Sequence, residues 1–112
     1  MDFQTSDLGH AAKVVMQGRL DTPGVGEIET RFLASVVPAG RHAVVDLSGV
    51  SFVSSMGIRM LISAARSLSQ KKAKLILYGA QPLVQESLDN VSLSDIVPIV
   101  ASETQALELL KS

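Results

Sequence analysis

Short runs of β-branched and aliphatic residues alternate along the chain with longer segments in which apolar residues recur every three or four positions. The short runs are typical of buried strands, and the longer segments are typical of amphipathic helices. The runs that predict strands are the segment up to Ser6, Ala11–Leu20, Ala43–Leu47, Leu75–Tyr78 and Val97–Ala101. Residues 7–10 are then expected to form a turn between the first two strands.

The helical segments begin at recognisable start signals. Thr22 is the expected N-cap of the first helix, and Pro23 fits its first turn. The clearest helix follows the segment Ser48–Ser55, and Ser102 with Gln105 forms a capping-box pair before the last one. The residues expected to face the core are, helix by helix, Val25, Ile28, Phe32, Leu33 and Val36; Ile58, Leu61, Ile62, Ala65 and Leu68; Leu83, Val84, Ser87, Leu88 and Val91; and Ala106, Leu109 and Leu110.

This order of elements predicts the fold class. Strands that alternate with helices form βαβ units with right-handed crossovers, so most of the sheet should be parallel. The two N-terminal strands are joined by a short turn and should add an antiparallel edge. We therefore expect an α/β fold, with a mixed, mostly parallel sheet of four to five strands and about four helices. The length of 112 residues suits one domain over residues 1–112.

Composition and charge narrow the class of function. The chain is 46% hydrophobic and 19% charged, as in soluble globular proteins. Only 4% of residues are aromatic and the net charge is −1, so nucleic-acid binding is not expected. The clustered Lys71, Lys72 and Lys74 lie near the expected end of a helix, where positive charge is favourable. The absence of cysteine, of a secretory signal and of an apolar membrane span predicts a cytoplasmic protein without membrane insertion.

Enzymatic chemistry has few candidate residues. His10 and His42 are the only imidazoles, and they lack metal-ligand spacing, so both are expected to be ordinary surface residues. No nucleophile elbow, phosphate loop or dinucleotide fingerprint is present. We therefore expect no catalytic residue, no metal and no cofactor.

The turn Ser54–Gly57 has a position suited to function. In an open α/β sheet, ligands and partners meet the edge at the carboxyl ends of the strands, and the turn after Asp21 should lie on the same edge. A helix N-terminus there offers free backbone N–H groups and a partial positive charge. The alternative is that one serine is only an N-cap and the other has no role.

Three segments resemble one known family. The string VVDLSGVSFVSSMGIRML, Val44–Leu61, resembles the signature of STAS domains, and specifically of bacterial anti-sigma factor antagonists. GRLD at Gly18–Asp21 is similar to the family's segment before its first helix. LSDIVPIVASETQALELL, Leu93–Leu110, is similar to its last strand and helix. These segments occur in the family's order across nearly the whole chain.

The resemblance implies a mechanism. Members of this family bind an anti-sigma factor, often a serine protein kinase, and so release a sigma factor. The kinase phosphorylates a Ser or Thr at the start of the helix after the third strand, and a serine phosphatase reverses this. A phosphoryl group adds a charge of about −1.5 to −2 to the contact surface, which opposes docking against an acidic or apolar partner.

This chain departs from the family pattern at the acceptor. Regulated members read Asp-Ser-Ser-Gly or Asp-Ser-Thr-Gly, and alignment on Gly57 places Ser54 at the Asp and Met56 at the acceptor. Methionine cannot accept phosphate, so either the usual switch is absent or the acceptor is Ser55 or Ser54. Asp21 matches the family's acidic position. Met56 is either an apolar plug or a partner contact, and Arg59 either a solvated side chain or the partner of an acid.

The expected partner-binding residues are Asp21, Thr22, Ser54, Ser55, Met56, Gly57 and Arg59. One alternative is a ligand-sensing STAS module that binds a nucleotide, an anion or a lipid headgroup, although the loss of the family Asp at Ser54 disfavours it. A second alternative, a phosphocarrier enzyme, would need a nucleophilic His or Cys in a motif. Docking to an anti-sigma factor is the expectation that these residues favour.

Overall fold

The computed structural model describes residues 1–111. Five strands form one sheet: β1 (Asp2–Asp7), β2 (Ala11–Leu20), β3 (His42–Val53), β4 (Leu75–Tyr78) and β5 (Ile99–Val100). The helices are α1 (Thr22–Val36), α2 (Ser55–Gln70), α3 (Pro82–Asn90) and α4 (Glu103–Leu110), with a 3₁₀ turn at Leu93–Asp95. Within residues 1–111, no helix has the length and apolar character to cross a membrane.

The sheet confirms the predicted fold class. Its strands lie in chain order, β1-β2-β3-β4-β5. β1 pairs with β2 antiparallel, and the other neighbouring strands pair parallel. The carboxyl ends of β2 and β3 therefore lie side by side, where α1 and α2 begin.

The two faces of the sheet are covered unequally. The inward residues of α1, α2 and α3 pack with one sheet face in a large cluster that contains Phe32, Met60 and Leu88. α4 packs on the opposite face in a small cluster with Ala106 and Leu110. The main core thus lies under the helices whose N-terminal ends form the site edge.

Several helix faces differ from the predicted ones. On α2 the fully buried residues include Met60 and Ala64, while Ile58, Ile62 and Ala65 are only partly buried. On α3 only Val84 and Leu88 are buried, and the side chain of Leu83 is 72% exposed. The buried stripe of each helix therefore lies to one side of the stripe that periodicity alone selects. Val91 and Leu109, which were expected to face inward, are also exposed.

The lengths of two strands were predicted wrongly. β3 continues through Gly49 to Val53 instead of ending at Leu47, because the extension pairs with β2 through register shifts opposite Gln17–Arg19. The glycine and serines in this stretch favour a turn locally, and the hydrogen bonds to β2 outweigh that preference. β5 is shorter than the predicted Val97–Ala101 and contains only Ile99–Val100.

Candidate functional site

The ends of β2 and β3 are joined directly at the site. The carbonyl oxygen of Leu20 accepts two hydrogen bonds from Ser54, one from its backbone N–H at 2.8 Å and one from its hydroxyl at 2.8 Å. The Ser54 hydroxyl also accepts a hydrogen bond from the Gly57 N–H at 3.2 Å, so Ser54 is the N-cap of α2. The prediction that the two turns share one edge of the sheet is confirmed.

The structure changes the local description of both turns. Asp21, and not Thr22, is the N-cap of α1, since its carboxylate accepts from the Gly24 N–H at 2.8 Å. Thr22 is the first residue of the helix and is exposed. Residues 54–57 are likewise a cap followed by the first turn of α2 rather than a loop. Asp accepts from backbone N–H groups at least as well as Thr, and its negative charge favours a helix N-terminus.

Gly57 allows α2 to start against the end of β2. A Cβ at this position would lie 2.8 Å from the Leu20 carbonyl oxygen and 3.0 Å from Val53 Cγ2. Gly24 has the same role in α1, where an added Cβ would overlap the Arg19 carbonyl oxygen. The two glycines therefore permit the close backbone packing that positions both helix starts.

The exposed tip of α2 consists of Ser55, Met56 and Arg59. Met56 exposes 38% of its surface, and the other two residues are also exposed. The backbone N–H groups of Ser55 and Met56 lie in the first turn of α2, where no carbonyl of the helix can accept from them, so they remain available to a partner. Among residues 1–111, the Ser55 hydroxyl has no hydrogen-bond partner, whereas the Ser54 hydroxyl both donates and accepts.

Arg19 and Phe52 are site residues that the sequence reasoning missed. They face each other across β2 and β3, and the Arg19 guanidinium carbon lies 4.6 Å from the centre of the Phe52 ring. Arg19 Nε is also 3.3 Å from Asp21 Oδ2. The backbone N–H of Gly24, followed by this guanidinium, holds the pKa of Asp21 below its ordinary value. Once β3 is extended to Val53, strand pairing alone places Phe52 beside Arg19.

A groove lies next to the site, between the end of β3 and α3. Its volume is about 300 Å³, and it is lined by Ser51, Phe52 and Val53 from β3 and by Leu83, Glu86, Ser87 and Asn90 from α3. Phe52 is 40% exposed and Leu83 is 72% exposed, so the groove has an apolar side chain from each element. Val53, which lines the groove, directly precedes Ser54 in the chain.

Other polar side chains make contacts that connect the elements of the fold. Lys13 Nζ, Glu103 Oε1 and the Tyr78 hydroxyl form a bridge from β2 and β4 to α4, with a Lys13–Glu103 distance of 2.8 Å. Burial, together with the charges of Asp46 and Glu103, raises the pKa of Tyr78 to about 12. His42 Nδ1 accepts from the Lys74 N–H, and His10 is exposed. Within residues 1–111, no three acidic or imidazole side chains are grouped as a metal site needs.

Comparison with known proteins identifies the family. The STAS domain family matches residues 3–106. The anti-sigma-B factor antagonist of Listeria monocytogenes is 26% identical over 99 residues, which cover 88% of this chain and 86% of that protein. BtrV of Bordetella bronchiseptica, named as a candidate anti-sigma factor antagonist, is 27% identical over 97 residues, which cover 87% of this chain and 84% of BtrV.

Solved structures agree at the level of the fold. An anti-sigma-factor antagonist (STAS) domain protein from Planctomyces limnophilus superimposes with a TM-score of 0.87 at 21% identity, and each chain is covered over 100% of its length. The sheet order, the two joined turns at its carboxyl edge and the match over residues 3–106 lead to one conclusion: this chain belongs to the STAS domain family.

Proposed function

We infer that this protein is a cytoplasmic, non-enzymatic anti-sigma factor antagonist. It docks to an anti-sigma factor of the serine protein kinase type through a surface composed of Asp21, Thr22, Ser54, Ser55, Met56 and Arg59. We call these residues the docking surface. Gly57, which was also expected to bind the partner, is buried and supports this surface from beneath. Binding removes the anti-sigma factor from its sigma factor. The relatives named above support this proposal because their names describe them as antagonists of anti-sigma factors.

The observation that carries this proposal is that the N-terminal ends of α1 and α2 are held side by side at one edge of the sheet. Leu20, Ser54 and Gly57 hold the start of α2 against the end of β2, so the tip is rigid before a partner arrives. Preorganisation of this kind reduces the ordering cost of association. Met56 then offers an adaptable apolar contact, and Arg59 offers a cation, within one turn of α2.

Within this proposal Ser55 is the phosphoacceptor, and Ser54 is structural. The Ser55 hydroxyl is exposed, whereas the Ser54 hydroxyl is used in holding β2 and α2 together. Phosphate on Ser55 would place negative charge at a helix N-terminus, where the antagonist tolerates it, and would oppose docking to an acidic or apolar surface. A serine phosphatase would restore binding.

The test begins with the protein immobilised and exposed to a lysate of its native cell, and a serine kinase that co-purifies with it is identified. The kinase is then produced recombinantly, and its affinity for the protein is measured by calorimetric titration. Met56→Glu should weaken its binding about a hundredfold, because an unpaired charge then enters the interface. The matched control is Ser69→Glu, which puts the same charge on an exposed residue at the far end of α2. If Met56→Glu and Ser69→Glu bind equally well, the docking surface is wrong.

Phosphorylation is tested separately with the purified kinase and ATP. Peptide mass spectrometry should find phosphate on Ser55, and the modification should vanish in Ser55→Ala while persisting in Ser54→Ala. Phosphate found elsewhere, or unchanged labelling of Ser55→Ala, would contradict Ser55 as the acceptor and leave the docking proposal standing.

A further inference from the structure

The groove beside the docking surface arises from unequal strand lengths. β3 pairs with β4 only from Ala43 to Asp46, yet it continues to Val53. Beyond Asp46, α3 lies beside β3 in place of a strand, and Gln81 Nε2 donates to the Ser48 carbonyl oxygen at 2.8 Å. A helix cannot approach a strand as closely as a paired strand does, so a space of about 300 Å³ remains between them.

The groove is apolar between Phe52 and Leu83. Glu86 lines its α3 side, and Arg19 lies outside the lining, on β2 beyond Phe52. Phe52 and Leu83 expose large apolar surfaces from β3 and α3. Next to the β3 wall, Arg19 stacks on Phe52 and directs its Nε toward Asp21. Among residues 1–111, its terminal guanidinium nitrogens have no hydrogen-bond acceptor and can pair with one from a partner. On the α3 side, the exposed Glu86 carboxylate has no ion pair within residues 1–111.

We propose that this groove binds a short segment of the partner protein that carries a large apolar side chain between an acidic and a basic residue. The apolar side chain enters between Phe52 and Leu83, the acid pairs with Arg19, and the base pairs with Glu86. The proposal rests on the proposed docking function, because it assigns a second part of the same partner's contact.

Two features favour a protein segment over other occupants. The charges are arranged in order across an apolar centre, which is a pattern that a peptide side-chain sequence can complement. Val53 is directly followed by Ser54, so a partner that covers the tip of α2 extends naturally into the groove. An arginine held by stacking and by a carboxylate loses little freedom on binding, which is characteristic of residues that anchor interfaces.

The first experiment uses the isotopically labelled full chain and short capped peptides that carry one Asp, one Leu and one Lys, separated by glycine spacers of graded length. At millimolar peptide, NMR shifts should be concentrated in residues 51–53 and 83–90. Replacing the peptide's Leu by Ser should weaken binding at least about tenfold, because the buried apolar contact is lost. Shifts confined to other regions, or none with any spacer, would overturn the proposal.

The second experiment varies the protein. Leu83→Ser should abolish the shifts without unfolding, since Leu83 is 72% exposed, and the matched control Ile96→Ser, at a residue 49% exposed, should retain them. Arg19→Glu should weaken binding about threefold, and a peptide with Lys in place of Asp should restore the affinity. Equal binding by Leu83→Ser and Ile96→Ser, or no rescue by the charge-reversed peptide, would contradict the assigned occupant.

These results are separable from the docking function. The peptide titrations need no anti-sigma factor, so they report on the groove alone. With the recombinant kinase, Leu83→Ser should weaken binding at least about tenfold. If Met56→Glu disrupts that complex while Leu83→Ser binds as tightly as the unaltered protein, the docking function stands and the groove proposal fails. Shifts in the groove produced by nucleotides, and not by peptides, would identify a small-molecule site and overturn it too.

Discussion

At the scale of single residues, the geometry of the site depends on two small side chains, the hydroxyl group of Ser54 and the single hydrogen of Gly57. The hydroxyl is that of Ser54, which contacts the Leu20 carbonyl and the Gly57 N–H. The hydrogen is the Gly57 side chain, where any larger group would meet the Leu20 backbone. The paired serines of the sequence therefore differ in environment: Ser54 is partly buried and bonded on both sides, and Ser55 is exposed.

Replacing Gly57 should destabilise the fold. Gly57→Ala forces a methyl group to within 2.8 Å of the Leu20 carbonyl oxygen, so backbone must move, and we expect the free energy of unfolding to fall by about 1–3 kcal/mol. Urea denaturation measures the change. The control is Gly26→Ala in α1, where nothing lies within 4 Å of the added Cβ and stability should rise by about 0.5–1 kcal/mol. Equal effects at both glycines would contradict the packing described here.

Substitutions of the two serines should have different effects on the free energy of unfolding. Ser54→Ala removes the N-cap and the hydroxyl bond to Leu20, and we expect a loss of about 1–2 kcal/mol in the free energy of unfolding. Ser55→Ala removes an exposed hydroxyl and should change stability by less than about 0.5 kcal/mol. Thermal and urea unfolding of both variants would decide, and a larger loss for Ser55→Ala would reverse the assigned roles.

At the scale of elements, the helix starts are capped by different chemistries. α1 begins at a carboxylate, α2 at a hydroxyl that also bonds a strand, and α4 at Ser102, whose hydroxyl accepts from the Gln105 N–H at 3.3 Å. Only the carboxylate titrates in the acid range. The pairing of β2 with β3 then keeps the first two caps in register on one edge.

The Asp21 cap should make stability depend on pH. The pKa of Asp21 is lowered from its ordinary value of 3.8, chiefly by the Gly24 N–H, so the folded state binds this proton more weakly than the unfolded state. Its contribution is therefore complete above pH 3.8 and is lost as the pH falls through the lower folded value.

This dependence is isolated with Asp21→Asn, which keeps an acceptor for the cap and removes the titration. The stability advantage of the unaltered protein over Asp21→Asn, measured by denaturation at a series of pH values, should shrink as the solution becomes acid. The pKa of Asp7 is lowered in the same direction by Arg41, so the unaltered protein alone would not separate the two carboxylates. An advantage that grows toward low pH would contradict the cap.

At the scale of the whole molecule, the buried apolar residues are distributed unevenly between the two sheet faces. Three helices cover the large cluster, whereas α4 contributes the buried Ala106 and Leu110 and the partly buried Leu107 to the small one. The Lys13–Glu103–Tyr78 bridge ties α4 to the sheet at its first turn. The docking surface and the groove belong to the well-packed half, which suits a rigid contact.

Amide hydrogen exchange should reveal this asymmetry. The amides of Ala43–Asp46 lie in the strand paired on both sides and should exchange through global unfolding alone. α4 should open locally and exchange faster than α2, because it buries less apolar surface. Exchange of α4 as slow as that of Ala43–Asp46, measured by NMR or mass spectrometry, would contradict the picture.

The element order, the sheet type and the common edge of the two turns followed from the sequence alone. Hydrophobic periodicity and the crossover rule are local or topological constraints, and they need no knowledge of which side chains meet. The boundary of β4 at Leu75–Tyr78 and that of β2 at Ala11–Leu20 were predicted in this way. The family resemblance then predicted partner-binding residues on that edge.

The tertiary structure alone decided the length of β3, the different environments of Ser54 and Ser55, and the pairing of Arg19 with Phe52. Ser48–Val53 is weakly strand-forming by itself, and its conformation comes from hydrogen bonds to β2 residues more than 30 positions earlier in the chain. The groove follows from that extension, because it lies where β3 extends beyond its pairing with β4 and is flanked by α3 instead. Such features arise from contacts between segments that are distant in sequence, so local sequence patterns do not predict them.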